Sequence, residues 1–486
     1  MIYWLWILGG IYVGALVLAT LGARGKNSSA DEFMMTGSDL GIVVGCLTVA
    51  ATLFSTFTLL GMPDFFRTHG VGAWIFLGVS DAVLAFMLIW VGTHLRRRAA
   101  EREFRGIAGM MCELYGTRWA GYLYLIGVFI FLIPYVAIQI RGVGIFMEAI
   151  FPGFIPVWGW ALLIVVTLLI YSSLGGLQAI VYADAIQGTI MLTVVLVIAY
   201  GCIAHFGSLQ DMFESVRLTS HSLLSVPGPK GLFTAQFLFA SFLGLILMPV
   251  TQPQMITRVI IMKDQRSLNR MAVMLGFFAM LLVLAILPIG MYGAVEYADA
   301  STSQFLSSVL IYDQPPLLGA AAIIGLIAAA ISTSDSQLFA LGNEVRSLLS
   351  GPEITIMRKT KVTIITFAAA SLVVAILAND QLVLLARVSL VGTALMAPFI
   401  LAGLLTSRAQ GVEIILVSAG CLLVFLVSLL GFLPDMVGSI RLDLLLMMVA
   451  SGVTALSVFV RANLEVIKSH PIWLVLRFKS GKFRKS

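Results

Sequence analysis

The side chains able to do chemistry are concentrated in one apolar stretch, Gly325 to Asn343, where Ser332, Thr333, Ser334, Asp335, Ser336 and Gln337 follow one another without interruption. The stretch is long enough for a bilayer-crossing helix. An Asp at that depth costs about 2.5–3.5 kcal/mol on insertion scales, so such groups face a cavity, an ion path or another buried polar group. At about 100° per residue, Gly325, Ala329, Ser332, Ser336 and Asn343 share one small-residue face. Another backbone can approach that face closely while hydroxyl oxygens stay available, which describes an oxygen-lined ion site. A lone membrane Ser or Thr more commonly bonds back to a carbonyl one turn earlier and glues helices together. Six polar residues in succession, one of them an acid, go beyond that use.

The elements that must position this run are membrane helices. The chain has 486 residues, 60% hydrophobic and 11% charged, with a mean hydropathy of +1.02. That composition excludes a soluble globular protein. Thirteen segments are long and apolar enough to span: 3–23, 40–63, 72–95, 120–149, 156–175, 179–205, 233–256, 271–297, 316–344, 362–378, 381–406, 411–433 and 442–460. The runs are continuous rather than alternating, so the expected fold is an all-α polytopic membrane protein. Most Lys and Arg fall in alternate loops, including Arg24, Arg96 to Arg98, Arg102, Arg105, Arg258 to Arg270, Arg358 to Lys361 and the tail. The opposite loops hold only Arg67, Arg217, Lys230 and Arg441. The bias puts the N-terminus outside and the C-terminus inside, consistent with an odd number of crossings. The net charge of +6 is then an orientation signal plus a basic tail, not a nucleic-acid-binding feature. Residues 1–23 read as a retained first helix rather than a cleaved signal. Scattered Cys and His residues signal no disulfide framework, metal site or catalytic pair, so the chain is not read as an enzyme.

Two spans carry the marks of broken helices. In the second, Gly45 to Asp64, threonines accompany a closing Gly61-Met62-Pro63, and in the seventh Pro249 and Pro253 flank Thr251 and Gln252. Broken helices five spans apart predict a five-plus-five inverted-repeat transporter core. The expected division is an extra helix and cytoplasmic loop at 1–37, a first repeat at 38–205, an external loop at 206–232, a second repeat at 233–406, two peripheral helices at 407–460 and a basic tail at 461–486. The tail reads as an interfacial segment on anionic membrane lipid, and residues 104–119 as a short surface helix. A tight turn at Gly175-Gly176 separates the fifth and sixth spans. Asp184 and Gln187 follow in the first turns of the next helix, either capping it or lining an ion exit.

Several motifs resemble the sodium:solute symporter family of sugar, proline, pantothenate and sialic acid carriers. They are Ala328 to Gln337, Leu174 to Gln187 with its Gly-Gly and Asp-x-x-Gln, and Gln254-Met-Ile-Thr-Arg258 with Lys263-Asp264. The resemblance implies sodium as coupling ion, no cofactor, a small organic solute as partner and a multi-pass location in the cell membrane. It also implies a sodium site made by the carbonyls of Ala51, Phe54 and Ala329 with the hydroxyls of Ser332 and Thr333. Asp184 matches the family's acid near the sodium exit, and Gln252 an amide that touches solute in some relatives. Leu53 stands where some relatives carry an acid, and Ala183 where the family has a hydroxyl residue.

The leading reading is a sodium-coupled symporter working by alternating access. A proton-coupled transporter using Asp184 or Asp335, and a non-transporting sensor of the same fold, are the alternatives. Arg141, Arg387, Asp81, Thr58 and Gln252 are candidate solute contacts. A deep guanidinium suits a carboxylate, so a small organic acid or zwitterion is expected, with Arg141 the better candidate. Snorkelling, or an ion pair between Arg141 and Glu148, would equally account for that arginine.

Overall fold

The computed structural model describes residues 1–24, 40–101, 106–378, 382–406 and 411–469. The loop expected at Arg24 to Phe33, Arg102, Arg105 and the interfacial tail lie wholly or mostly outside the described residues. The chain is helical almost throughout. Helix α1 (Ile2–Arg24) is followed by α2 (Ile42–Leu53), a π-turn at Phe57–Gly61, α3 (Met62–His69), α4 (Trp74–Glu101) and the short α5 (Ile107–Tyr115). Helices α6 (Arg118–Ile150) and α7 (Val157–His205) complete the first half, and α8 (Leu209–Thr219) lies in the long connection. The second half opens with three pieces, α9 (Ala235–Ile246), α10 (Met248–Thr251) and α11 (Pro253–Ile260). Then come α12 (Gln265–Glu296), α13 (Thr302–Ser307), α14 (Pro316–Leu348), α15 (Glu353–Leu377), α16 (Leu382–Ala394) and α17 (Ala397–Leu405). Helices α18 (Val412–Leu429) and α19 (Leu442–Ser469) close the chain, joined by the small hairpin Met436–Val437 and Ile440–Arg441.

Among the described residues nine helices are long and apolar enough to cross a membrane, or ten if the bent pair Ile42–Leu53 and Phe57–His69 is one span. Shorter apolar helices at Ile2–Leu18, Val157–Leu169 and Ala235–Ile246 lie where the other spans are expected. The turn expected at Gly175-Gly176 falls between the apolar segments Val157–Leu169 and Ile180–His205, at residues outside those described in detail. Asp184 lies in the second of these segments, and its carboxylate meets side chains of other helices rather than backbone N–H groups of its own.

Both expected breaks are present and have nearly the same backbone geometry. The first bends by 60° at Phe54, with φ −93° and ψ 119°; the other falls at Gln252, with φ −99° and ψ 121°. Pro253 lacks an N–H and so cannot extend the ladder of hydrogen bonds, which ends α10. Each break frees backbone groups that hydrocarbon cannot satisfy. Helix α6 supplies the partners: Tyr135 donates its hydroxyl to the Leu53 carbonyl at 3.2 Å, and Tyr124 donates to the Thr251 carbonyl at 3.1 Å. These tyrosines are eleven residues apart, close to three helical turns, so they project from one face.

Several basic residues read as surface charge also close helix ends. Arg96 donates to the carbonyls of Val259, Ile260 and Met262 after α11, and Arg98 to those of Leu404 and Thr406 after α17. A cation at a helix C-terminus satisfies the orphan carbonyls and opposes the dipole. The surface helix expected at 104–119 is α5, but its apolar side is buried and its start is held by α14. The fully buried Glu344 accepts the N–H groups of Ile107 and Ala108 at 3.1 and 2.7 Å.

Candidate ion and solute site

The polar run of α14 is buried in its entirety from Ser332 to Gln337. Its hydroxyls meet the end of α2 as the shared face predicts. The hydroxyl oxygens of Ser332 and Thr333 both lie against the Ala51 carbonyl oxygen, at 3.1 and 3.2 Å. Ala329 is one turn before Thr333, and Phe54 is the extended residue at the break; both are 2% exposed. Three of the five expected sodium ligands are thus in direct mutual contact, and the other two belong to the same two elements. Five neutral oxygens suit a hard monovalent cation, and among the described residues no group of three His, Cys, Asp or Glu residues could hold a metal ion.

Asp184, the expected exit acid, lies against this cluster. Its carboxylate accepts the Ser332 hydroxyl at 2.5 Å and the Thr48 hydroxyl at 2.6 Å. A hydroxyl has one proton and two lone pairs. Because the carboxylate is the nearer and charged acceptor for Ser332, it takes that proton and leaves the lone pairs of Ser332 oxygen to face Ala51 and the break. The acid thereby orients the Ser332 oxygen toward Ala51.

The partner of Asp184 is Arg258, a residue counted above among the cytoplasmic loop charges. It is 2% exposed and pairs with the acid at 2.7 Å. The same guanidinium donates to Ser336 at 2.6 Å, to Thr48 at 3.0 Å and to the Gln254 carbonyl at 3.2 Å. One side chain from the second broken helix thus ties α2, α7 and α14 together. The spacing Gln254 to Arg258, one helical turn, was the available signal, but the adjoining basic loop obscured it.

The solute candidates divide. Gln252 is fully buried at the second break; its Oε1 accepts from Gln254 at 2.6 Å, while its Nε2 has no partner among the described residues. The Thr58 oxygen accepts the Ser55 N–H at 3.1 Å and so stabilises the first break. Thr56, two residues earlier, has a buried hydroxyl without a hydrogen-bond partner among the described residues. Asp81 is 5% exposed on α4. Arg141 is half-buried on α6, and Glu148 accepts the Gly153 N–H at 3.1 Å.

Arg387 is engaged by groups of neighbouring helices. It is ion-paired with Asp443 on α19, donates to Ser241 at 2.7 Å and lies 4.6 Å above the Phe237 ring. Asp443 lies 56 residues away in sequence, so no local pattern signals the pair. Gln139, which no sequence motif marks, is a further residue of the first break. Its Oε1 accepts the Thr56 N–H at 3.0 Å, and its Nε2 donates to Ser55 and to the Tyr135 carbonyl. Helix α6 can come this close because Gly142 faces Thr56, where a Cβ would lie 2.1 Å from the threonine methyl.

Two interrupted helices braced by one continuous helix, with a buried oxygen cluster at the first interruption, define a transporter-class membrane protein. The sodium:solute symporter family matches residues 33–412, and the chain belongs to that family. It is similar to a sodium/pantothenate symporter of Haemophilus influenzae, 23% identical over 67% of each chain. It is also similar to a high-affinity proline transporter of Bacillus subtilis, 24% identical over 64% of this chain and 67% of that one. Against a sodium/pantothenate symporter of Escherichia coli the match covers only 54% of that relative's length. Among solved structures, a substrate-bound outward-open Na+-coupled sialic acid symporter superposes with a TM-score of 0.74. That likeness covers 95% of this chain and 98% of the other at 16% identity, and it shows the fold. The protein is a multi-pass transport protein of the cell membrane.

Proposed function

We propose that the chain is a sodium-coupled symporter that takes up a small carboxylate-bearing organic solute by alternating access. The observation that carries the sodium reading is the convergence of Ser332 and Thr333 on the Ala51 carbonyl beside the break at Phe54. The carbonyls of Ala51, Phe54 and Ala329 and the two hydroxyls are the ligands of this reading. The matching geometry at Phe54 and Gln252 supports a five-plus-five inverted repeat over 38–205 and 233–406, and the alternation of Lys and Arg between loops supports an outside N-terminus.

The solute reading draws on Arg141, the unpartnered amide nitrogen of Gln252 and the buried hydroxyl of Thr56. Pantothenate, proline and sialic acid, the solutes named for its relatives, all bear a carboxylate. A monoanion moving with one sodium is electroneutral and forgoes the roughly 2.3 kcal/mol per charge that 100 mV supplies. Voltage-sensitive uptake of such a solute would therefore require more than one cation. Uptake and counterflow of labelled proline, pantothenate and sialic acid in sodium and in choline medium provide the test. Sodium-dependent counterflow of at least one is expected, and equal counterflow in choline would reject sodium coupling.

Proton coupling is the second reading, because Asp184 and Asp335 are both buried in the same region. The ion pair of Asp184 with Arg258 weighs against that acid as the carrier. Uptake in choline driven by an inwardly directed proton gradient would favour it.

A further inference from the structure

Helix α1 precedes the span matched by the family, which begins at residue 33. Its described side chains are exposed or half-buried with one exception, Tyr12, which is 6% exposed. The ring packs against Ile324 and Ala328 of α14. These two residues and Ser332 are spaced by four, so they lie on one face. The hydroxyl of Tyr12 accepts the Gln187 amide of α7 at 2.7 Å, and both groups are buried. Gln187 is one helical turn beyond Asp184. Tyr12 therefore bridges the two helices whose Ser332 and Asp184 meet at 2.5 Å.

The rest of the α1 interface is loose. A cavity of about 690 Å³ with almost wholly apolar walls lies between α1 and α7, beside Tyr12 and bordered by Leu8, Ile11, Ile190 and Val194. Such a surface does not specify a register, whereas a single hydrogen bond in hydrocarbon does. Gln187 depends on this contact as well, because its Oε1 has no partner among the described residues.

We propose that α1 is a working part of the coupling-ion site: Tyr12 is a positioning residue that, by holding Gln187, fixes the turn of α7 that presents Asp184 to Ser332. The inference rests on the reading of Ser332, Thr333 and Ala51 as sodium ligands. With Tyr12→Phe the packing on Ile324 and Ala328 is kept and only the hydrogen bond is lost. The half-saturating sodium concentration for uptake is expected to rise about three- to tenfold, the range of a lost buried hydrogen bond. The half-saturating solute concentration at saturating sodium should stay unchanged. Gln187→Met should give the same split, and the double variant should be no worse than either single one, because both remove one contact.

Unchanged sodium dependence in Tyr12→Phe and Gln187→Met would overturn the proposal. So would equal rises in both half-saturating concentrations, or a fall only in abundance and melting temperature, since each describes a mere anchor for α1. Ser332→Ala, run alongside, separates the two ideas. If it shifts sodium dependence and Tyr12→Phe does not, this proposal alone fails. If Ser332→Ala has no effect, the sodium-site reading fails with it.

Discussion

Asp184 and Arg258 form an ion pair at 2.7 Å with side chains 1% and 2% exposed, linking the middle of α7 to the second broken helix. Removing one member of such a pair leaves an uncompensated buried charge and typically costs about 3–5 kcal/mol, whereas replacing both by apolar groups is often neutral. Arg258→Met should therefore lower the melting temperature in detergent sharply, and Arg258→Met with Asp184→Leu should recover most of it. Asp184→Asn has a second expected effect. An amide can donate to Ser332 and turn that oxygen's lone pairs away, so half-saturating sodium should rise, contrary to the small change expected of an exit residue. Sodium titrations of uptake in that variant provide the check.

Ser332→Ala and Thr333→Ala each remove one oxygen from a site with few. A contact of hydrogen-bond scale to a charged group is worth roughly 1.5–3 kcal/mol, so sodium affinity should fall about ten- to a hundredfold. Solute affinity at saturating sodium should change much less. Uptake curves with wild-type half-saturating sodium in both variants would remove these hydroxyls from the ion site.

Gln139→Leu should loosen the first broken helix. The substitution leaves the Thr56 N–H without its partner and removes the bond to the Ser55 hydroxyl. Each buried group left unmade costs about 1–3 kcal/mol. Lower thermal stability together with weaker sodium dependence is expected, because Ala51 and Phe54 precede the same break. Gly142→Ala should act in the same direction by pushing α6 away from Thr56. A melting curve identical to wild type in both variants would contradict this account of the break.

The two deep arginines should separate in their effects. Arg387→Met removes one of the two guanidinium partners of Asp443, the other being Arg441 at 3.2 Å, and should lower the melting temperature moderately while leaving half-saturating solute unchanged. Arg141→Lys keeps the charge but loses the planar fork, so half-saturating solute should rise with little change in melting temperature. Intact uptake of every organic acid tested in Arg141→Ala would exclude Arg141 from solute recognition.

What the sequence determined by itself was whatever depends on local pattern. The apolar spans, the six-residue polar run and the prolines flanking Gln252 are each contained within about twenty residues. The hydroxyl face of Ser332 and Ser336 followed from helical periodicity, and family motifs pointed to Ala51 as its partner. The tertiary structure decided the pairings. Arg258 looked like a loop charge and is a buried partner of Asp184, 74 residues away. Arg387 belongs to Asp443, Tyr124 and Tyr135 serve the two breaks, and Tyr12 reaches Gln187 across 175 residues. Hydropathy reports how deep a residue lies in the membrane but not which way it faces around a helix bundle. Whether a buried charge binds a solute or another side chain is therefore decided only when the helices assemble.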